Sequence, residues 1–446
     1  MNTLDRMTTR TMLIRLLLIA AGLQLVLTVG IYVAARQKIS PSIDQNGCTV
    51  AISPDCILIV ARVGSLAEVL KSNGPLAWFK TQEQIFIRIY SLPAAILGSW
   101  LGVNILTVEP ANLLFYVAIL TLTFQIGALV FDRRVGLVAA AVVALWPSFL
   151  VHTTQVLKDP LFIATFLSLI LITTIWLTKA LSLLNGLVTA VVGVTSIFTI
   201  SLTRSGFWGA IMIALLVVGL GLMLIRQLRT KRFLPVNIAS AVLVVLVSGL
   251  INHYAPEQFE AIQPEAAPGA TASARVQNSS QRVNRLATRL SMLRQGWLYL
   301  NKDAGSNIDT EVEFQRPMDV VRYLPRAWAV GFLAPFPNFW LTRGKQVGLA
   351  GRLFSGFEML LTYIAELLAV FGLWRARANL SAWFLASSIF MGISALALAV
   401  VNLGTLYRFR YAFLILLLVL AVKGLMGLIA YFKPEITIET KEASAS

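Results

Sequence analysis

Apolar runs of bilayer length alternate with short polar links along most of this chain. A transmembrane helix needs about 20 mostly apolar residues, and such runs fall near 12–35, 110–131, 136–152, 160–178, 182–202, 207–225, 235–253, 355–374, 381–402 and 411–432. The pattern predicts an all-α integral membrane protein of about ten transmembrane helices. The first run lacks a small-residue cleavage signal and is longer than a signal-peptide core, so it reads as a retained span. Residues 36–109 form a long first outer loop. Within it Gln84–Val103 is apolar but interrupted by Pro93 and Gly98, and it follows an amphipathic stretch from Trp78 to Tyr90. These read as helices lying along the membrane surface rather than as a span.

A second long link, 254–325, is too polar to enter the bilayer. Its first part, Pro256–Ser280, is rich in Ala, Pro, Glu, Gln and Ser, the composition of a mobile segment. From Gln281 to Leu300 the apolar residues Val283, Leu286, Leu290, Leu293 and Trp297 recur at helical spacing. Leu324–Trp340 is a further apolar piece at the surface, broken by proline. The chain therefore divides into a membrane core (1–253), an outer hydrophilic segment (254–354), three closing spans (355–432) and a cytoplasmic tail (433–446). No internal repeat is visible, which argues against a transporter built from inverted halves.

Charge fixes the expected orientation, because Lys and Arg collect in short cytoplasmic links. Arg6, Arg10 and Arg15, then Arg133 and Arg134, then Arg226, Arg229, Lys231 and Arg232, then Arg375 and Arg377, and finally Lys433 all fall on one side of a ten-span topology. Both termini are then cytoplasmic. A second set remains on the other side: Arg62, Arg88, Arg204, Arg282, Arg285, Arg289, Arg294, Arg322, Arg326, Arg408 and Arg410. Arginines kept against the bias point to a face that handles anions.

Composition supports that reading. At 57% hydrophobic and 13% charged, the chain is not a pair of soluble domains. In a membrane protein a net charge of +16 implies anionic headgroups or a phosphorylated substrate, and no nucleic-acid-binding module is present. The two histidines, His152 and His253, form no cluster with cysteine, which argues against a transition-metal site. Cys48 and Cys56 both lie in the first outer loop. In an oxidising compartment they can form a disulfide, and otherwise they are two small residues.

Three groups carry candidate chemistry. Asp44 and Asp55 lie in the first outer loop. Asp55 precedes an apolar helical stretch, where an aspartate either caps the helix or serves as a surface carboxylate that takes a proton or holds a metal ion. Lys158-Asp159-Pro160 opens another helix. Asp159 there is either an N-cap or half of a charged pair, and such a pair at a bilayer boundary is costly unless solvated or used. His152, just before it, reads as a base or as a polar tip. The arginines form the third group, since guanidinium forks match phosphate oxygens in bidentate geometry.

Several of these stretches resemble one family. Asp132-Arg133-Arg134-Val135-Gly136, Trp146-Pro147-Ser148, Gln155-Val-Leu-Lys158-Asp159-Pro160, Tyr323-Leu-Pro-Arg326 with Pro335-Phe-Pro337, and Asn402-Leu-Gly404-Thr405-Leu-Tyr407-Arg408-Phe-Arg410-Tyr411 are similar to motifs of GT-C glycosyltransferases. The similar group is that of the protein O-mannosyltransferases and lipid A aminoarabinose transferases, with related envelope-polysaccharide membrane proteins. The resemblance is carried by scattered short motifs across residues 12–430. It implies surface-lying helices in the first outer loop, a catalytic acid there, and sugar transfer from a polyprenyl-phosphate donor. The acceptor would be a glycan, lipid or protein, and the membrane a bacterial cytoplasmic membrane with the site facing outside.

Residue by residue, the resemblance makes Asp55 the base or metal ligand, with Asp44 as its alternative, and Asp159 a second acidic group. The phosphate contacts would be drawn from Lys158, Arg204, Arg282, Arg285, Arg289, Arg322, Arg326, Arg408 and Arg410. A divalent cation, Mg or Mn, would be held by Asp55 if by any residue. Two rivals stay open: an O-antigen-type polymerase or ligase acting on pyrophosphate-linked oligosaccharides, and a non-enzymatic lipid-linked glycan transporter. The spans read as free of central charges, which disfavours the transporter.

Overall fold

A computed structural model describes residues 3–49, 53, 55–204, 207–254, 281–300, 302, 304–344 and 347–432. The segment read as mobile, Pro256–Ser280, and the tail beyond Phe432 lie outside the described residues. In chain order the helices are α1 (Thr3–Arg36), α2 (Asp55–Lys80), α3 (Ile85–Leu101), α4 (Ile105–Val130), α5 (Arg133–Ala144), α6 (Pro147–Thr153), α7 (Asp159–Thr178) and α8 (Leu183–Thr203). They continue as α9 (Phe207–Thr230), α10 (Pro235–Tyr254), α11 (Gln281–Leu300), α12 (Pro317–Leu333), α13 (Gly348–Arg375), α14 (Leu380–Ala399), α15 (Leu403–Phe409) and α16 (Tyr411–Phe432). Among the described residues no sheet forms; only isolated bridges occur, such as Asn307 with Asn402.

Nine of these helices, α1, α4, α7–α10, α13, α14 and α16, are long and apolar enough to cross a membrane. A tenth crossing exists if α5 and α6 count as one, and the two meet at 69°. The run read as span 136–152 is thus a broken span. Proline disfavours helical backbone in the residue before it, and Trp146 duly turns extended (φ −70°, ψ 113°) ahead of Pro147. The first outer loop also differs in detail. The stretch read as one amphipathic unit, Trp78–Tyr90, contains a helix end and a new helix start. Arg88 closes that junction by donating to the carbonyls of Trp78 (2.7 Å) and Thr81. The 17-residue α3 is too short to span, and it runs unbroken through Pro93 and Gly98, where the sequence reading placed interruptions.

Apolar character on all sides marks a central helix, and α16 is buried continuously from Tyr411 to Val422. Glycines let its neighbours approach closely, as small residues do between membrane helices. A Cβ on Gly424 would meet the carbonyl of Leu368 on α13, and one on Gly372 would meet that of Leu420. On the flank, Gly127 of α4 meets Gly136 of α5, with 2.7 Å between an added Cβ and the facing Cα.

A second apolar cluster gathers Cys48, Cys56, Val63, Phe86, Tyr90 and Ile105 against Val156 and Leu157. It seats the first loop on the link between α6 and α7. The hydrophilic segment is anchored over α15. Ile308 donates to the carbonyl of Val401 (2.9 Å), Leu403 to that of Ser306 (3.0 Å), and the Asn402 amide to Ser306 Oγ and Asn307 Oδ1 (3.0 Å each). Arg294 is buried between these pieces and donates to the carbonyls of Asp309 (2.6 Å), Val312 (3.2 Å) and Leu398 (3.3 Å).

Candidate functional site

Four chain segments far apart in sequence bring charged groups to one end of the bundle. Asp55 is the first residue of α2, and a disulfide between Cys48 and its neighbour Cys56 pins that helix start (S–S 2.03 Å). Lys158 and Asp159 open α7. Arg204 ends α8, and Arg408 lies in α15, whose N-cap Asn402 accepts from the Thr405 amide (3.0 Å).

Arg408 is the hinge of the group. Its Nη2 lies 2.9 Å from Asp55 and its Nε 3.3 Å from Asp159. The other oxygen of Asp159 accepts from Arg204. The three groups differ sharply in exposure: the Asp55 side chain is 56% exposed, that of Arg408 11%, and that of Asp159 5%. Asp55 therefore faces water, Arg408 sits at the boundary, and Asp159 and Arg204 lie inside.

The buried side of the site is aromatic. The Arg204 guanidinium rests 3.7 Å from the centre of the Phe409 ring, with Phe162 at 4.8 Å and Trp208 at 5.4 Å. Ring faces attract a cation, so Arg204 is held from both sides and anchors Asp159. Trp297 of α11 packs on the Phe409 ring (5.7 Å), which ties the hydrophilic segment into the same stack.

Charge in this cluster is unevenly balanced. Burial works against the Arg408 cation, yet Asp159 and Asp55 together outweigh it and raise its pKa. Lys158 is less well served: burial, then the Arg204 charge, brings its pKa down to about 8 despite Asp159. Three cations share two carboxylates, so one further anion completes the balance. The same arithmetic disfavours a divalent cation at Asp55. Both carboxylates are already committed to guanidinium groups, and a metal ion would enter a field of three positive charges. Among the described residues no group of three or more His, Cys, Asp or Glu side chains is placed to hold a metal ion.

A buried polar layer lies behind the cluster. Glu358 of α13 accepts from the Ser148 amide (2.6 Å) and from the Tyr407 hydroxyl. Tyr411 donates to Ser148 Oγ (2.7 Å), and His152 Nδ1 donates to the Ser148 carbonyl (3.0 Å). His152 is buried beside Tyr411 and acts as a packed polar group. Glu358 and Glu366 both lie within the apolar α13, Glu366 in the middle of the run read as 355–374, so the reading of spans free of central charges is corrected. That signal was present in the sequence, since an ionisable residue within a span marks a site by default.

The remaining candidates go elsewhere. Asp44 Oδ1 accepts from the amides of Cys48 (2.7 Å) and Asn46 (3.1 Å) and so forms a turn ahead of the disulfide. Neither Asp55 nor Asp159 works as an N-cap: Asp55 reaches Arg408, and α7 starts from Lys158 without a side-chain cap. Arg326 pairs with Asp309 (3.0 Å) on the hydrophilic segment. Arg410 is buried and donates to the carbonyls of Gly331 (3.2 Å) and Ala334 (3.1 Å), fastening the end of α12. Arg289 and Arg322 are exposed on α11 and α12. The side chains of Arg282 and Arg285 lie outside the described residues.

Compared with protein-family models, with curated proteins and with solved structures, the chain finds no match.

Proposed function

We propose that the protein is a membrane glycosyltransferase that moves a sugar from a polyprenyl-phosphate donor to a hydroxyl-bearing envelope acceptor. The observation that carries this reading is the meeting of Asp55, Lys158, Asp159 and Arg408 at one end of an apolar bundle. In the reaction the bond between the anomeric carbon and the phosphate oxygen breaks, and the bonding electrons leave on the phosphate. Donors fixed where that charge develops lower the barrier, and Arg408 with Lys158 supply them. Asp55, exposed and at the mouth, takes the proton of the acceptor hydroxyl as the new glycosidic bond forms. Arg204 does not meet the phosphate; it holds Asp159, and Asp159 holds Arg408. The lipid tail of the donor stays in the bilayer beside the helices.

Two further observations support a site that faces outward from the membrane. The Cys48–Cys56 disulfide suits an oxidising compartment, and it adjoins Asp55 directly.

The test is transfer of labelled sugar by the protein in proteoliposomes, using a panel of polyprenyl-phosphate hexoses and pentoses. Asp55→Asn should lower turnover by about 10²-fold or more, the worth of a general base, with donor affinity kept. Unchanged turnover in that variant would remove Asp55 from the mechanism. If every monophosphate donor is ignored while a pyrophosphate-linked oligosaccharide is consumed, the polymerase reading replaces this one.

Lys158 gives a pH signature. A lysine held near 8 is charged at pH 7 and largely neutral at pH 9.5, so its hold on an anion weakens as pH rises. A bound anion shifts the step upward, because it stabilises the protonated form. Affinity for a short-chain polyprenyl phosphate should drop about tenfold across that range, the value of one hydrogen bond to a charged group. Titration calorimetry with the wild type and Lys158→Arg checks this, since an arginine stays charged and flattens the profile.

A further inference from the structure

Where α1 and α4 meet the α6–α7 link lies a cluster of buried oxygens for which the transfer reaction has no use. Almost all of α1 faces outward, but Gln24 and Thr28 are fully buried. They are four residues apart and so share one helix face. Opposite them, Glu109 in the second turn of α4 is only 2% exposed. The polar side chains facing its carboxylate are Thr28 and Asn112.

Neither oxygen of Glu109 has a hydrogen-bond partner among the described residues, and neither does Oε1 of Gln24. The Gln24 orientation is fixed, because its Nε2 donates to the Thr153 carbonyl (3.1 Å), which leaves Oε1 as a free acceptor. Thr28 Oγ1 spends its proton on the Gln24 carbonyl (3.0 Å), so its lone pairs are also free. Three buried side chains thus present four acceptor oxygens, and the protons left beside them are the second amide proton of Gln24 and the amide of Asn112, whose Nδ2 also has no partner among the described residues. Thr49 adds a further unpartnered hydroxyl where its amide meets Gln155 Oε1 (2.8 Å) on the same link.

A buried carboxylate without a partner is among the most costly groups in a protein interior. Hard cations are bound by oxygen ligands of this mixed kind: a carboxylate, an amide carbonyl and hydroxyls. One carboxylate balances one positive charge, whereas a divalent ion would leave a buried surplus. We propose that Glu109, with Gln24 and Thr28, binds a sodium ion inside the membrane domain. The ion braces α1 and α4 against the link that presents Lys158 and Asp159.

This site is independent of the proposed transfer reaction, and its test does not read activity. Thermal unfolding of the full chain in detergent is followed in sodium, potassium and choline chloride at equal ionic strength. Sodium should raise the midpoint by about 2–4 °C in a saturable way, the size of effect that specific binding gives a chain no smaller than a typical domain. Choline should have no effect. Glu109→Gln and the near-isosteric Thr28→Val should each abolish or weaken the response. An equal midpoint in all three salts overturns the site, and so does a sodium response that survives in Glu109→Gln. If Glu109→Gln does not fold, an undiminished response in Thr28→Val overturns it instead. A larger rise in potassium than in sodium overturns the assignment of the ion.

Discussion

Asp159→Ala is expected to destabilise the protein by about 3–5 kcal/mol, because it strands the Arg204 guanidinium in a buried, aromatic site and takes one of the two carboxylates of Arg408. The Asp159 side chain is 5% exposed and joins Arg204 to Arg408, so no water can take over both pairings. The purified variant should unfold at a markedly lower temperature and aggregate on extraction. Removing both members of the inner pair separates structure from function. Asp159→Asn with Arg204→Met should recover most of the lost stability, since replacing a buried ion pair by a neutral, packed pair is often close to neutral. The same double variant should not recover sugar transfer, because Arg408 has lost the carboxylate that aims it. A single Asp159→Ala variant as stable as the wild type would show that the cluster does not hold the bundle end together.

Arg408→Lys gives the second large effect, this time on turnover. The ammonium keeps the charge but has one point of attachment, whereas the guanidinium faces Asp55 with Nη2 and Asp159 with Nε. A lysine can hold one carboxylate or the phosphate, not both carboxylates in fixed geometry. Losing an oriented donor at a developing oxyanion costs about 10²–10³-fold in turnover. Proteoliposome assays should therefore show a fall in kcat with a smaller change in KM for the donor. A rise in KM alone would make Arg408 a binding group without a share in the leaving-group step. The thermal midpoint should move little, since Arg408 lies at the water boundary.

Much of the membrane architecture is legible in the chain because bilayer solvent imposes one simple rule on every span. The runs at 160–178, 235–253 and 411–432 reappear within a residue or two as α7, α10 and α16. Helix α11 begins and ends where the amphipathic spacing placed it, from Gln281 to Leu300. The site was legible only in part. Asp55, Asp159, Arg204 and Arg408 stand out as charges beside apolar segments, yet nothing in their spacing says that Arg408 joins two aspartates from different loops. Arg410 carries the same signal two residues on and is a structural fastener, because the short α15 turns it inward to the end of α12. Local sequence cannot separate the two arginines; tertiary packing does. Glu358 and Glu366 carried a signal of their own as acids within a span, but two acids leave a 28-residue helix apolar enough to read simply as a span. The break at Trp146–Pro147 shows a third limit: proline announces a bend, but neither its 69° angle nor the Glu358 carboxylate that receives the Ser148 amide beyond it is written in the local sequence.

Trp208 has a use apart from any role in folding or chemistry. It is one of ten tryptophans, but it is buried against Phe162 and Phe413 and lies 5.4 Å from the Arg204 cation. Its indole therefore senses the field of the Arg204–Asp159–Arg408 chain at close range. An anion arriving at Arg408 redistributes that field without touching the ring. The protein thus carries its own optical reporter, and subtracting the emission of Trp208→Phe isolates a label-free signal of occupancy in intact membranes.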